Sequence, residues 1–356
     1  MASMILGVGR APGKVILFGE HAVVYGRPAL AVPVTQVQAE AVVEPGERGA
    51  GLTIAAADLG ETITVRDAPA DHPLAAAARL TLVKFGLSDP DWRVTVRSTI
   101  PIASGMGSGA AVSAAIVRAL AEAAGRDQGS GIRGQATRDT RQETRDRIQE
   151  TEVRDSPTSS NQLLASNFQP ADISALVYEV ERLHHGTPSG IDNTVVVYGQ
   201  PVYFVRGQPP QAFHIGRPFT LVIADTGIHS PTKVAVGDVR RAWEREPQRF
   251  EALFDRVAAV VEAARSAIAA DEPERLGPLM NENHALLREI GVSCPELDAL
   301  VAAARAAGAA GAKLSGAGRG GNMIALVMAD SAARVAKALV ATGAVRVIVT
   351  EVADGI

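Results

Sequence analysis

Short runs of β-branched side chains separated by Gly, Pro and Asp dominate the first hundred positions: VILF at 15–18, QAEAVV at 38–43, TITV at 62–65 and WRVTVRS at 92–98. Such runs predict strands. Between and after them the period changes. HPLAAAARLTLVKFG at 72–86 predicts a helix stopped at Gly86, and GSGAAVSAAIVRALAEAAG at 107–125 predicts a second one ending at Gly125. Further on, Ile173, Leu176, Val177, Val180 and Leu183 recur at helical spacing within PADISALVYEVERLHHG, which places a helix over 170–186 with those residues on one face. Strands are expected at 201–206 and 219–225. Four helices follow near 231–245, 247–270, 273–290 and 295–307, then a helix near 331–342 and a last strand VRVIVTEV.

The pattern lapses from Arg126 to Gln169, where Arg-Asp and Arg-Gln-Glu-Thr units recur and apolar residues are too sparse to cover a core. This stretch reads as a solvated, disordered insertion in a surface loop, with a charged lid or docking arm as the functional alternative. A domain boundary is expected near 210–217, in RGQPPQAFHIGRP with its three prolines.

Composition narrows the function. A net charge of −4 and a pI near 6 leave no basic stripe for nucleic acid. No run reaches the span of about 20 apolar residues that a membrane helix needs, and the N-terminal MASMILGVGR lacks the pattern of a signal peptide. The one cysteine, Cys294 in GVSCPEL, excludes an internal disulfide and fits a reducing cytosol. It is expected to pack as a small hydrophobe. A soluble cytoplasmic protein with no nucleic-acid or membrane partner is the resulting expectation.

Four stretches carry candidate chemistry. In APGKVILFGEHAVVYG, the Pro12-Gly13 turn sets Lys14 at the start of a strand, and Glu20 and His21 follow that strand. Three polar groups thus bracket one short apolar run, which favours a ligand-facing role over a solvated surface. The second stretch, PIASGMGSGAAVSAA from Pro101, feeds a glycine turn into a helix start. The amides of such a turn and the positive end of the helix dipole form an anion site. Gly105 and Gly107 would let backbone approach a phosphate, and Ser108 can cap the helix or offer its hydroxyl. No Gly-Lys-Ser/Thr follows, so this is not a Walker A loop. A close-packed loop-to-helix junction explains the stretch equally well. The third, GTPSGIDNTVVVYG, puts Asp192 after a tight turn, with Glu181 eleven residues earlier on the preceding helix. The two carboxylates could converge, one suited to a metal and the other to a proton, or both could simply be solvated. The fourth, KLSGAGRGGNMIAL at 313–326, is a glycine run that reads either as a hairpin or as a second wall of a phosphate site.

In order and wording these motifs resemble the GHMP kinases, and within them the mevalonate kinase branch. The resemblance covers nearly the whole chain apart from 126–169. It implies a two-domain α+β fold with a ribosomal-protein-like N-terminal domain, a ferredoxin-like C-terminal domain and a cleft between them. On this reading residues 1–210 form the ATP-binding domain, with 126–169 as its insertion, and 211–356 form the second. The resemblance makes Asp192 the catalytic base and Lys14 its partner. It makes Glu181 the ligand of Mg2+, assisted by Ser108. Pro101, Gly105, Met106, Gly107, Ser108, Gly109 and Ala110 become the ATP phosphate loop. Glu20, His21, Thr232 and Ala317, with Lys14, become the substrate side. The implied activity is ATP-dependent phosphorylation of mevalonate. Other GHMP enzymes (phosphomevalonate kinase, mevalonate 3-kinase, a related decarboxylase) and a non-catalytic metabolite sensor are the alternatives. A homodimer is possible.

Two departures stand out. The family loop reads Gly-Leu-Gly-Ser-Ser-Ala, whereas here Gly109 replaces the second serine, whose hydroxyl serves magnesium in the family. Arg319 replaces a glycine in the third motif and is expected either to crowd the nucleotide phosphates or to reach toward them.

Overall fold

The computed structural model describes residues 4–101, 104–130, 168–185, 188–229 and 231–354. Two sheets organise the chain. The first contains β1 (Gly7–Phe18), β2 (Ala29–Pro45), β3 (Thr53–Ala56), β4 (Glu61–Thr64), β5 (Trp92–Ser98), β6 (Val202–Phe204) and β7 (Gln211–Ala212). Its order is β4-β3-β5-β2-β6-β7, with β1 paired antiparallel to β2 off that path. The second is antiparallel, in the order β11-β8-β10-β9, from β8 (Phe219–Asp225), β9 (Gly311–Ser315), β10 (Asn322–Val327) and β11 (Arg346–Val352).

Beside the first sheet come α1 (Pro73–Phe85), α2 (Ser108–Ser130), α3 (Pro170–His185) and α4 (Ile191–Tyr198), of which α2 and α4 pack on its strands and α1 and α3 pack on α2. Of α5 (Thr232–Arg245), α6 (Pro247–Ala269), α7 (Leu276–Ile290), α8 (Pro295–Ala306) and α9 (Ala332–Ala341), the last three pack on the second sheet, whereas α6 packs on α7 and on β1 and β2 of the first sheet, and α5 packs on α6. The α+β class expected from the sequence is the one observed. No helix among the described residues is long and apolar enough to cross a membrane.

The alanine-rich composition of α2 decides how close it comes to β1. Ala111, Ala114, Ala115 and Ala119 are fully buried. A Cβ added at Gly9 of β1 would sit 2.0 Å from the Ala115 carbonyl oxygen. Helix backbone therefore rests directly on strand backbone, and the start of α2 is held against the middle of β1. The two sheets are tied by Ser315 of β9. Its hydroxyl accepts from Ile16 N–H at 3.2 Å and donates to the Ile16 carbonyl at 2.9 Å.

Several elements differ from the pattern-based reading. β1 and β2 are much longer than the runs at 15–18 and 38–43, since their antiparallel pairing continues across two register shifts, at Pro12/Gly13 and at Ile16/Phe18 of β1. α2 continues through Gly125 to Ser130; a glycine costs an interior helix position only about 1 kcal/mol, which packing overrides. Leu183, placed on the apolar face of α3, is 53% exposed, whereas Ile173, Val177 and Val180 are buried. The expected helix at 273–290 begins as a separate 3-10 turn at Pro273–Arg275. Cys294 sits half-buried just before α8, packed against the core, and burial raises its thiol pKa. The biased segment expected over 126–169 lies outside the described residues except at its two ends.

Candidate active site

Lys14 is the hub of the cleft between the sheets. It lies mid-strand in β1, opposite Pro33 of β2, and is 2% exposed. Its backbone N–H donates to the Met106 carbonyl at 3.0 Å. Its ammonium donates to the Gly105 carbonyl at 2.9 Å and pairs with Asp192 Oδ1 at 2.9 Å. The loop before α2 can pass this close only because of its glycines. Gly107 has a φ of 72°, and a Cβ there would lie 3.0 Å from Lys14 Cγ.

From that loop α2 starts at Ser108. The first N–H groups of a helix have no partners within it and carry partial positive charge. Gly105, Gly107, Ser108, Gly109 and Ala110 line the cleft. Met106 and Pro101 do not. The Met106 side chain is in the core at 1% exposure, and Pro101 contributes its carbonyl to the Ser104 hydroxyl at 3.0 Å. Both shape the loop from behind.

Asp192 occupies the first turn of α4, after Gly190 with a φ of 92°. The run TVVVY is β-branched and yet helical, since Val195, Val196 and Val197 are buried by tertiary packing. Asn193 ties α4 to α3 by donating to the Ser174 hydroxyl at 2.8 Å. This brings Glu181 of α3 beside Asp192. Glu181 is 8% exposed, and its pKa is pushed up to about 7, first by burial and then by the Asp192 charge, with Lys14 opposing. A Cβ at Gly109 would lie 3.2 Å from Glu181 Oε1, so the start of α2 faces that carboxylate directly.

His21 and Glu20 follow β1 in a tight turn, His21 at a left-handed φ of 60°. The His21 Nε2–H donates to the Ala317 carbonyl at 2.9 Å, and its Nδ1 is buried without a partner among the described residues. Burial, with Arg319 adding to it, lowers its pKa to about 4, so the ring is neutral at pH 7. Glu20 takes a different place from the cleft wall. It is 1% exposed and is ion-paired to Lys313 of β9, itself completely buried, while Asn283 of α7 donates to Glu20 Oε2 at 3.2 Å. Burial lowers the Lys313 pKa and the Glu20 charge opposes that shift.

Across the cleft, Ser315, Ala317, Gly318, Gly320 and Gly321 form the opposite wall, joined by Thr232 and Lys233 at the start of α5. Asn322 donates to the Ser104 carbonyl at 2.5 Å, which holds this glycine loop to the one before α2. The whole cleft encloses about 650 Å³. Arg319 neither crowds it nor reaches into it, since its guanidinium pairs with Asp238 of α5. Of the residues singled out from the sequence, Gly105, Gly107, Ser108, Gly109, Ala110, Glu181, Asp192, Thr232 and Ala317 line this one cleft, with Lys14 buried beneath them against Asp192. Sequence reasoning missed Lys313, Asn283 and Asn322, of which only Lys313 left a trace, a charge inside the apolar run GAKLS.

Residues 72–131 match the GHMP kinases N terminal domain and residues 264–345 the GHMP kinases C terminal region. The chain is 32% identical to a mevalonate kinase of Pyrococcus furiosus over 90% of its length and 88% of that protein's. It is 34% identical to one of Thermococcus gammatolerans, over 89% and 87%. The chain belongs to the mevalonate kinase family of GHMP kinases. Among solved structures, this family member superimposes on L. major mevalonate kinase in complex with R-mevalonate with a TM-score of 0.76 at 29% identity, covering 98% of this chain and 96% of that one. The GHMP kinase fold also brings it onto Streptococcus pneumoniae phosphomevalonate kinase, with a TM-score of 0.70 at 14% identity and coverage of 96% and 99%. That second likeness concerns the fold alone.

Proposed function

We propose that the protein transfers the terminal phosphoryl group of ATP to the 5-hydroxyl of mevalonate, giving 5-phosphomevalonate and ADP. The observation that carries this reading is the ion pair between buried Lys14 and cleft-facing Asp192, set directly beneath the glycine loop that opens α2. The mevalonate kinases among its relatives, and the mevalonate-bound L. major structure, support the acceptor.

Phosphoryl transfer asks mainly for positioning and charge stabilisation. The amides and helix dipole around 105–109 bind the nucleotide phosphates. Asp192 accepts the hydroxyl proton as the transition state forms, and Lys14 stabilises the negative charge that develops on the oxygen. His21 and Thr232 orient the acceptor. Glu20 acts from behind, holding the turn that presents His21. The GHMP N-terminal match falls within 1–210 and the C-terminal match within 211–356, which supports a division into an ATP-binding domain and a second domain.

The donor set fits Mg2+. Among the described residues no group of three or more His, Cys, Asp and Glu could hold a metal. A hard cation that keeps several waters needs only one or two carboxylates together with substrate phosphates. Glu181, a buried carboxylate facing the start of α2, and the Ser108 hydroxyl would hold it. When bound, Mg2+ neutralises charge on the phosphate oxygens. Assaying ATP consumption with mevalonate, phosphomevalonate and mevalonate diphosphate side by side tests the proposal. Turnover with mevalonate alone is expected, and turnover confined to either phosphorylated acceptor overturns it.

A further inference from the structure

Arg319 stands among the glycines of SGAGRGGN at a left-handed φ of 59°. Glycine adopts that backbone state freely, and a residue with a Cβ is strained in it. The side chain gives the arginine its role. Its Nη1 pairs with the Asp238 carboxylate of α5, and its backbone N–H donates to the Val292 carbonyl at 2.8 Å. The loop is therefore fastened both to the α7–α8 turn and to α5.

Neither Arg319 nor Asp238 lines the cleft, but their immediate neighbours do. Gly318 and Gly320 flank Arg319, and Thr232 and Lys233 open the helix that carries Asp238. Asp238 lies six residues into α5 from Thr232, about 9 Å along the helix axis. The ion pair thus restrains the helix and touches no substrate. The same loop holds His21 through the Ala317 carbonyl, so one short segment supports both sides of the acceptor end.

We propose that Arg319 is a positioning residue: through Asp238 it fixes the first turn of α5, with Thr232 and Lys233, against the glycine loop, and so sets the acceptor pocket before substrate arrives. This rests on the kinase reading above. Asp238 also pairs with Arg241 one turn along α5, so loss of Arg319 leaves no stranded carboxylate and the variant keeps its fold. The side chains of Arg319 and Asp238 are 36% and 30% exposed, which makes the pair sensitive to salt.

The test is a double-mutant cycle, Arg319→Gly, Asp238→Ala and both together, read by steady-state kinetics and thermal melting. Arg319→Gly should melt at or above the wild-type temperature, because glycine relieves the strained φ. Its KM for mevalonate should rise about three- to fivefold, the scale of one partly exposed ion pair. Both kcat and the KM for ATP should stay within about twofold, as expected when uniform acceptor binding is lost. Asp238→Ala should match it, the double variant should be no worse than either single one, and Arg319→Lys should recover part of the loss. An unchanged mevalonate KM in Arg319→Gly overturns the proposal, and so do additive losses in the double variant. Wild-type protein that does not turn over mevalonate at all overturns the acceptor assignment instead, and the cycle is then read on whichever acceptor the substrate panel identifies.

Discussion

Lys14 Nζ lies 2.9 Å from Asp192 Oδ1 and 2.9 Å from the Gly105 carbonyl, so a single buried ammonium joins the carboxylate of α4 to the loop before α2. The candidate base, its cationic partner and the candidate phosphate loop are one connected unit. A change in any one of them reaches the other two.

Asp192→Asn keeps the size of the side chain and removes the proton acceptor. Its kcat should fall by about 10²–10⁴-fold, the usual contribution of a general base. Thermal melting should remain cooperative, which separates lost chemistry from lost fold. Turnover near the wild-type rate would remove Asp192 from the base role.

Gly105 and Gly107 both have positive φ, at 83° and 72°, but different surroundings. A Cβ at Gly105 meets only the Ser315 carbonyl at 3.9 Å, whereas one at Gly107 meets Lys14 Cγ at 3.0 Å and Cε at 3.2 Å. Alanine at either site should cost about 1–2 kcal/mol of stability from the backbone alone. Only Gly107→Ala should also displace Lys14 and lower kcat at least tenfold. Parallel denaturation and kinetic measurements on the two variants check this difference.

Glu181 titrates near 7 in the folded protein, against a usual value of 4.5. The sign of the stability effect follows from linkage. Between those values the folded chain holds a proton that the unfolded chain has released, so this group makes the free protein less stable as pH rises from about 4.5 to about 7. A cation bound by the carboxylate must displace that proton. The half-saturating Mg2+ concentration, read by calorimetry with a non-hydrolysable nucleotide, should rise below pH 7 toward about tenfold per pH unit. Glu181→Gln should abolish the Glu181 part of that dependence. Gly109→Ser places a hydroxyl beside Glu181 Oε1, within a few tenths of an ångström of fitting, and should lower the Mg2+ requirement. An identical pH profile in wild type and Glu181→Gln would argue against Glu181 as the ligand.

Glu20 and Lys313 form a fully buried ion pair between residues 293 positions apart. Removing one partner leaves the other charged in the core. Lys313→Met or Glu20→Gln should each lose about 3–5 kcal/mol in urea unfolding. The double variant should lose much less than the two singles combined. Equal losses in all three variants would mean that packing, and not the charge pair, sets the stability there.

Much of this was legible in the sequence for a physical reason. A β-branched run bounded by Gly and Pro, or an alanine-rich run stopped by Gly, declares its own local structure. Lys14, Asp192 and the glycine turn sit in short segments whose wording could be matched to family motifs one residue at a time. What the sequence left open were partners distant along the chain and groups whose state depends on burial. The β-branched TVVVY stretch became a helix because buried packing outweighed propensity. The acid spacing of Glu181 and Asp192 left convergence undecided until Asn193 tied α4 to α3.

The sequence by itself determined the α+β class and the family, and it named the candidate residues of the site. Tertiary structure decided how they are used. It withdrew Glu20 into the core with Lys313, where desolvation favours pairing over exposure to ligand. It raised the Glu181 pKa by burying that carboxylate beside Asp192. It also kept Arg319 out of the cleft by setting the Asp238 carboxylate of α5 within reach of its guanidinium.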